Sequence, residues 1–360
     1  MDFLLRITLL TLILGLSACN SGGGSQNISG QTKNDNVSDG SNYASEPAFE
    51  TEQSVLDAGL ICSGFNNPDK PPVLLVHGTF TYGWEQYDWS YGPVLESMGF
   101  DVCTVTYQDR GLGDLQISAE FVVNALRRIH TESGRKVAMI GHSQGALMPR
   151  WALKWWPSAR EAVGDFVLQA GPNHGTNGGP SAGLFYEGLG SLTGTPSSFY
   201  QMAAESNFLT AVNADDETPG DIEYTNIYTQ FDELVQPVTP IPTAALDWEK
   251  ANPKVSNILL QDICPLLITD HVTIGLTDMA TFLLTLDAIL NPGPADVERA
   301  GGTDALCNAI SVLPGISLSP DALSAFPGML SMEIEAGLFD LHLTNAEPPL
   351  KTYAKDGSQP

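Results

Sequence analysis

The sequence predicts an α/β fold in which a mostly parallel, doubly wound sheet is flanked by helices. Three observations point there. Short continuous apolar runs such as Val73-Leu74-Leu75-Val76 suit strands buried on both faces. Stretches of helical periodicity separate these runs, the alternation that lays strands side by side in parallel. Gly141-His142-Ser143-Gln144-Gly145 falls where one apolar run gives way to a helical pattern.

Each element can be justified in chain order. Pro72 to Val76 reads as a buried strand ended by His77-Gly78, and Phe100 to Tyr107 as a second. Between Gln116 and Glu132 the apolar residues Ile117, Phe121, Val122, Ala125, Leu126 and Ile129 recur at helical spacing, and Gly134 stops the segment. Val137 to Ile140 is the next strand, followed after the Gly-x-Ser-x-Gly turn by a helix from Ala146 to Trp156. Phe166 to Ala170 and Glu223 to Thr229 make two more strands, and Leu266 to Thr269 is a short apolar run leading into Asp270-His271. Val272 to Leu290 is apolar enough to suggest a membrane span. Asp278 and Asp287 interrupt it, however, and its threonines suit a packed core helix.

Composition bounds the function. The chain has 360 residues, 42% of them hydrophobic, enough for a sizeable core. Its 42 Asp and Glu against 16 Lys and Arg leave a net charge of −26, which repels nucleic acid and anionic headgroups and excludes a DNA- or RNA-binding role. Residues 1–18 read as a signal peptide: Arg6 is followed by the apolar run Ile7 to Leu16, the length of an export signal. Leu16-Ser17-Ala18-Cys19 resembles the lipobox of bacterial lipoproteins, in which the cysteine becomes the lipidated N-terminus. Residues 19–50, rich in Gly, Ser, Asn, Asp and Gln, are expected to be a disordered tether behind lipidated Cys19, and 51–360 a single catalytic domain. The expected location is therefore a bacterial outer membrane or cell surface, otherwise the periplasm or the medium, with membrane attachment only through the lipid. Cys62, Cys103, Cys264 and Cys307 form an even set in an exported chain, so disulfides are expected. Three pairings are open, and local pairing closes the shortest loops. No Cys/His cluster has zinc spacing, and no metal is expected.

Gly141-x-Ser143-x-Gly145 between a strand and a helix has the form of a nucleophile elbow, whose glycines relieve crowding at a sharp turn exposing the serine oxygen. A serine hydroxyl needs a histidine to take its proton and a carboxylate to hold that histidine. In such a fold these follow the serine in the order acid, then base. His174 lies too early and His342 lacks a preceding strand, which leaves His271; Asp232, just past a strand, is the acid. The loop after the first strand, His77-Gly78-Thr79, should supply one oxyanion donor and the backbone N–H of Gln144 the other. His77 precedes the serine and reads as loop support.

These residues resemble the α/β-hydrolase lipases of the Candida antarctica lipase B type, over about Ser54 to Cys307. Ser143-Gln144-Gly145 matches the family's nucleophile turn, and Asp232-Glu233-Leu234-Val235-Gln236-Pro237 matches its acid segment at all but one position. Thr269-Asp270-His271 matches its histidine segment. The resemblance implies the α/β-hydrolase fold, a Ser143-Asp232-His271 triad, an oxyanion hole of Thr79 and Gln144, and disulfides Cys62–Cys103 and Cys264–Cys307. Thr81, His142, Gln201, Leu234 and Val235 are expected to line the substrate pocket. His142 departs from the family, which has a Trp there, and Pro149 also departs, with a kink expected. Gly178 to Thr195, with Leu184, Phe185, Tyr186, Leu189 and Leu192, resembles in position the family's short lid. The implied activity is cleavage of carboxylic esters, triglyceride or otherwise, by a monomer acting on a neutral ester or lipid without a cofactor. A polyesterase or short-chain carboxylesterase is the alternative within the same chemistry, and a non-catalytic surface-anchored binding module the alternative outside it.

Overall fold

A computed structural model of the chain describes residues 43–178, 194–248, 250–308 and 343–355. The export segment, Cys19 and most of the tether, most of the stretch resembling a lid, and His342 lie outside the described residues.

Seven strands form the main sheet: β1 (Leu60–Cys62), β2 (Val73–Val76), β3 (Val102–Val105), β4 (Val137–His142), β5 (Val163–Gln169), β7 (Glu223–Tyr228) and β8 (Val255–Leu259). Their order is β1-β3-β2-β4-β5-β7-β8, with β1 antiparallel to β3 and every other pairing parallel. Two short strands, β6 (Thr195–Pro196) and β9 (Leu343–Thr344), pair separately. The continuous apolar runs are explained by two cores. Leu74, Val76, Val137, Met139, Phe166 and Leu168 face one, while Val73, Leu75, Ala138, Ile140 and Val167 face the other. Alternation is present in direction but invisible in composition, because both faces are covered.

The first core is closed by α4 (Leu115–Ser133), capped by Asp114 on the Gln116 N–H, and by α5 (Gln144–Trp155), which runs on through Pro149 and buries Trp151 and Trp155. The second is closed in part by α3 (Tyr91–Ser97) and α11 (Met279–Leu290), where Phe282 meets Tyr91 edge-on at 5.2 Å. The apolar stretch from His271 to Leu290 is two helices, α10 (His271–Leu276) and α11. They part at Asp278, whose carboxylate accepts the Thr281 N–H at 2.7 Å and caps α11. Asp287 meets Arg299 at 2.7 Å. The two acids that argued against a membrane span are a helix cap and an ion-pair partner inside a packed pair of helices.

The short apolar run Leu266 to Thr269 is a loop, with Leu266 94% and Ile268 76% exposed, and the strand that precedes His271 is β8. β8 carries Ser256 and Asn257 in its middle and is only half-buried at the sheet edge, so it has no apolar run to announce it. The disulfides are Cys62–Cys103, directly opposite in the β1/β3 register, and Cys264–Cys307, which ties the loop ahead of His271 to α12 (Gly302–Asn308).

Candidate active site

Ser143 stands at the carboxyl end of central strand β4, at φ 57° and ψ −124°. Such a conformation is strained for a side chain-bearing residue and holds only where its surroundings fix it. The surroundings are close backbone. A Cβ on Gly141 would lie 1.9 Å from the Gly145 carbonyl oxygen, and one on Gly145 would lie 2.2 Å from that of Val76. Both glycines of the motif are therefore demanded by space. Asp232 follows β7 and His271 opens α10, so the topology brings three distant residues to one edge of the sheet.

Their geometry is continuous. His271 Nε2 lies 2.9 Å from Ser143 Oγ, and His271 Nδ1 lies 2.9 Å from Asp232 Oδ2. The other carboxylate oxygen, Oδ1, accepts the backbone N–H groups of Leu234 at 3.0 Å and Val235 at 2.7 Å. The His271 N–H donates to Glu233 Oε2 at 3.0 Å, so consecutive acids hold ring and backbone of one histidine. Burial opposes protonation of His271, but the charge and hydrogen bond of Asp232, with Glu233 and Asp270, outweigh it and raise its pKa above the ordinary histidine value.

On the opposite side of Ser143 lies the loop after β2. Thr79 Oγ1 accepts from Gln144 Nε2 at 3.1 Å, and the same amide donates to the Gly111 carbonyl at 2.6 Å. With its oxygen already accepting, the Thr79 hydroxyl keeps its proton to donate elsewhere. His77 is wholly buried, stacked on Tyr107 at 3.8 Å, with Nδ1 2.7 Å from the Gly78 carbonyl. Burial lowers its pKa to about 3. It is a neutral prop of the loop.

The remaining pocket candidates sit as follows. Thr81 is buried with its hydroxyl on Gln86 Oε1 at 3.0 Å, and His142 is buried beside Ser143 with a pKa lowered to about 3 by burial and by neighbouring His271. Gln201 is wholly buried, its amide oxygen accepting the Leu115 N–H at 2.8 Å and its nitrogen donating to Asp114 at 2.6 Å. Val235 is buried and Leu234 half-buried beside the acid. His174 is not brought to Ser143: it meets Glu217 at 3.1 Å. Sequence reasoning missed Gln86, the side-chain role of Gln144 and the grip of Glu233 on His271. Gln144 and Glu233 lay in quoted motifs that say nothing of these side-chain contacts; Gln86, a buried glutamine bridging distant segments, leaves no local pattern.

The description "Lipase (class 2)" matches residues 70–254, a span that contains Ser143 and Asp232 and stops short of His271. The chain is 31% identical over 318 residues to lipase B of Pseudozyma antarctica, covering 86% of this chain and 87% of that one. Among solved structures, lipase B of Aspergillus fumigatus superposes with a TM-score of 0.74 at 28% identity, over 86% of this chain and 73% of the other.

Proposed function

Because the chain belongs to the class 2 lipases and is a carboxylic ester hydrolase, we propose that it works through an acyl-enzyme on Ser143, with His271 as the base, Asp232 as its orienting acid, and Thr79 and Gln144 as oxyanion donors. The observation that carries this reading is the position of His271, 2.9 Å from both the serine oxygen and the buried carboxylate. Asp232 accepts the Nδ1 proton, which leaves Nε2 bare toward the serine hydroxyl. As Oγ attacks the ester carbonyl, its proton passes to Nε2. The charge appearing on the carbonyl oxygen is met by the backbone N–H of Gln144 at the start of α5 and by the N–H and hydroxyl of Thr79. Collapse breaks the bond to the alcohol, which leaves with the Nε2 proton; water then repeats the sequence on the acyl-enzyme and frees the acid. The chemistry calls on no metal or organic cofactor.

The substrate in this reading is a neutral ester or lipid, as the charge of −26 would repel an anionic surface. An ester series from short to long acyl groups, with and without an oil–water interface, separates a triglyceride substrate from polyester or short-chain substrates. Ser143→Ala should fold and lose several orders of magnitude in ester turnover, whereas His174→Ala should stay near wild type. Near-native turnover in Ser143→Ala would sink the reading.

We further propose export with a lipid anchor on Cys19, in the manner of a bacterial lipoprotein. The lipobox-like Leu16-Ser17-Ala18-Cys19 and the two disulfides support it. Radioactive palmitate supplied to a bacterial host should label the wild type and not Cys19→Ala. Equal labelling of both, or of neither, would contradict it.

A further inference from the structure

Behind the reacting side chains runs a buried hydrogen-bond chain that the triad leaves unused. His142 Nε2 lies 2.7 Å from the His271 carbonyl oxygen, and His142 Nδ1 lies 3.2 Å from Gln86 Nε2. Gln86 Oε1 in turn accepts the Gly78 N–H at 2.8 Å and the Thr81 hydroxyl at 3.0 Å. The directions are forced from one end. A carbonyl only accepts, so His142 carries its proton on Nε2; its bare Nδ1 then accepts from the Gln86 amide, whose oxygen is left for the two donors. Both side chains are buried, so an imidazole that merely filled the space would cost more than an apolar residue of its size.

Packing makes the same connection. The rings of His142 and His271 are 5.0 Å apart, and a Cβ on Gly275 of α10 would lie 2.1 Å from His142 Cδ2. The helix that begins with His271 thus rests directly on the His142 imidazole. At the other end, a Cβ on Gly78 would lie 3.5 Å from His142 Nδ1 and 3.2 Å from the Ser143 Cβ.

We propose that His142 is a positioning residue for ester hydrolysis, holding the His271 backbone through Nε2 and, through Gln86, the Gly78 amide of the Thr79 loop. This rests on the triad reading above. His142 fixes the distance between the proton-accepting nitrogen and the loop that receives the oxyanion. It is also the last residue of β4, directly before Ser143, so one side chain joins base, nucleophile and oxyanion loop. Displacements of about 1 Å at such a site cost on the order of 100-fold in rate.

The test compares two amides. Glutamine places its nitrogen where the imidazole carries Nε2 and can still donate to the His271 carbonyl; asparagine reaches only the position of Nδ1. On one soluble ester, His142→Asn should lower kcat about 100-fold with KM within about threefold, while His142→Gln should stay within about tenfold of wild type. Gln86→Met keeps the volume but removes the acceptor of the Gly78 amide and the Thr81 hydroxyl as well as the link to His142, and should lower kcat like His142→Asn. A packing role alone would lower the melting temperature of the smaller amide in step with its turnover, whereas positioning lowers kcat in protein that melts near wild type with KM nearly unchanged. Equal losses in the two amides, or an undiminished kcat in His142→Asn or Gln86→Met, would overturn the proposal. Ser143→Ala runs beside them. If it is inert while those variants keep full turnover, positioning alone fails; if it retains turnover, the triad fails and takes the proposal with it.

Discussion

At the scale of single residues, Ser143 shows how the site stores strain. Its backbone conformation costs about 1–3 kcal/mol, borne because Gly145 packs against the Val76 and His77 carbonyls too closely for any Cβ. His271 yields a pH prediction. In the proposed reaction His271 takes a proton only when neutral, and its pKa is raised because Asp232, Glu233 and Asp270 outweigh burial. Hydrolysis of a neutral ester should therefore rise with pH, with the acid-limb midpoint of kcat/KM above the ordinary histidine value. An acid limb with its midpoint below that value would contradict this charge balance. The three side chains that meet within hydrogen-bond distance could be picked out in the sequence: Ser143 by its glycines, Asp232 and His271 by order along the chain. Gln86 was not. Its hydrogen bonds reach Gly78, Thr81 and His142 in three segments, and a polar residue that is satisfied only in three dimensions looks like any surface glutamine.

At the scale of elements, legibility followed burial. Strands β2, β4 and β5 are covered on both faces and read as apolar runs, whereas β8 is a half-buried edge strand and was hidden behind the apolar loop Leu266 to Thr269. The break at Asp278 was hidden too, because a helix cap inside an apolar stretch resembles a single polar interruption. The Cys264–Cys307 bridge spans 43 residues of sequence and pins the segment just ahead of His271. Closing a loop of that length is worth about 4 kcal/mol in the chain-entropy picture. Cys264→Ser with Cys307→Ser should lower unfolding stability by about 2–4 kcal/mol in a denaturant titration. An unchanged midpoint would show that the bridge constrains nothing.

At the scale of the whole molecule, two buried neutral histidines set an acid limit. His77 and His142 each have a pKa lowered to about 3, chiefly by burial, so the unfolded chain takes up protons that the folded chain refuses. Their contribution to stability is complete above the ordinary histidine pKa and is lost as pH falls from there toward 3. Each group weighs up to about 1.4 kcal/mol per pH unit in that window. His271 has the opposite sign, its contribution being full below the ordinary value and lost as pH rises through its raised one. Thermal melts from pH 7 down to pH 4 should show a falling melting temperature, less steep in a variant with His77 replaced by Gln. A flat profile would mean that these rings are protonated without penalty.

Acylation of Ser143 Oγ is the step on which the proposed reaction turns. Reaction of the purified protein with an alkyl fluorophosphonate, followed by peptide mass mapping, tests it most directly. One label per chain is expected on the peptide that contains Ser143, with full loss of ester turnover in step with labelling and no label in His271→Ala. Full inactivation with the label on another residue, or turnover that survives stoichiometric labelling of Ser143, would contradict it.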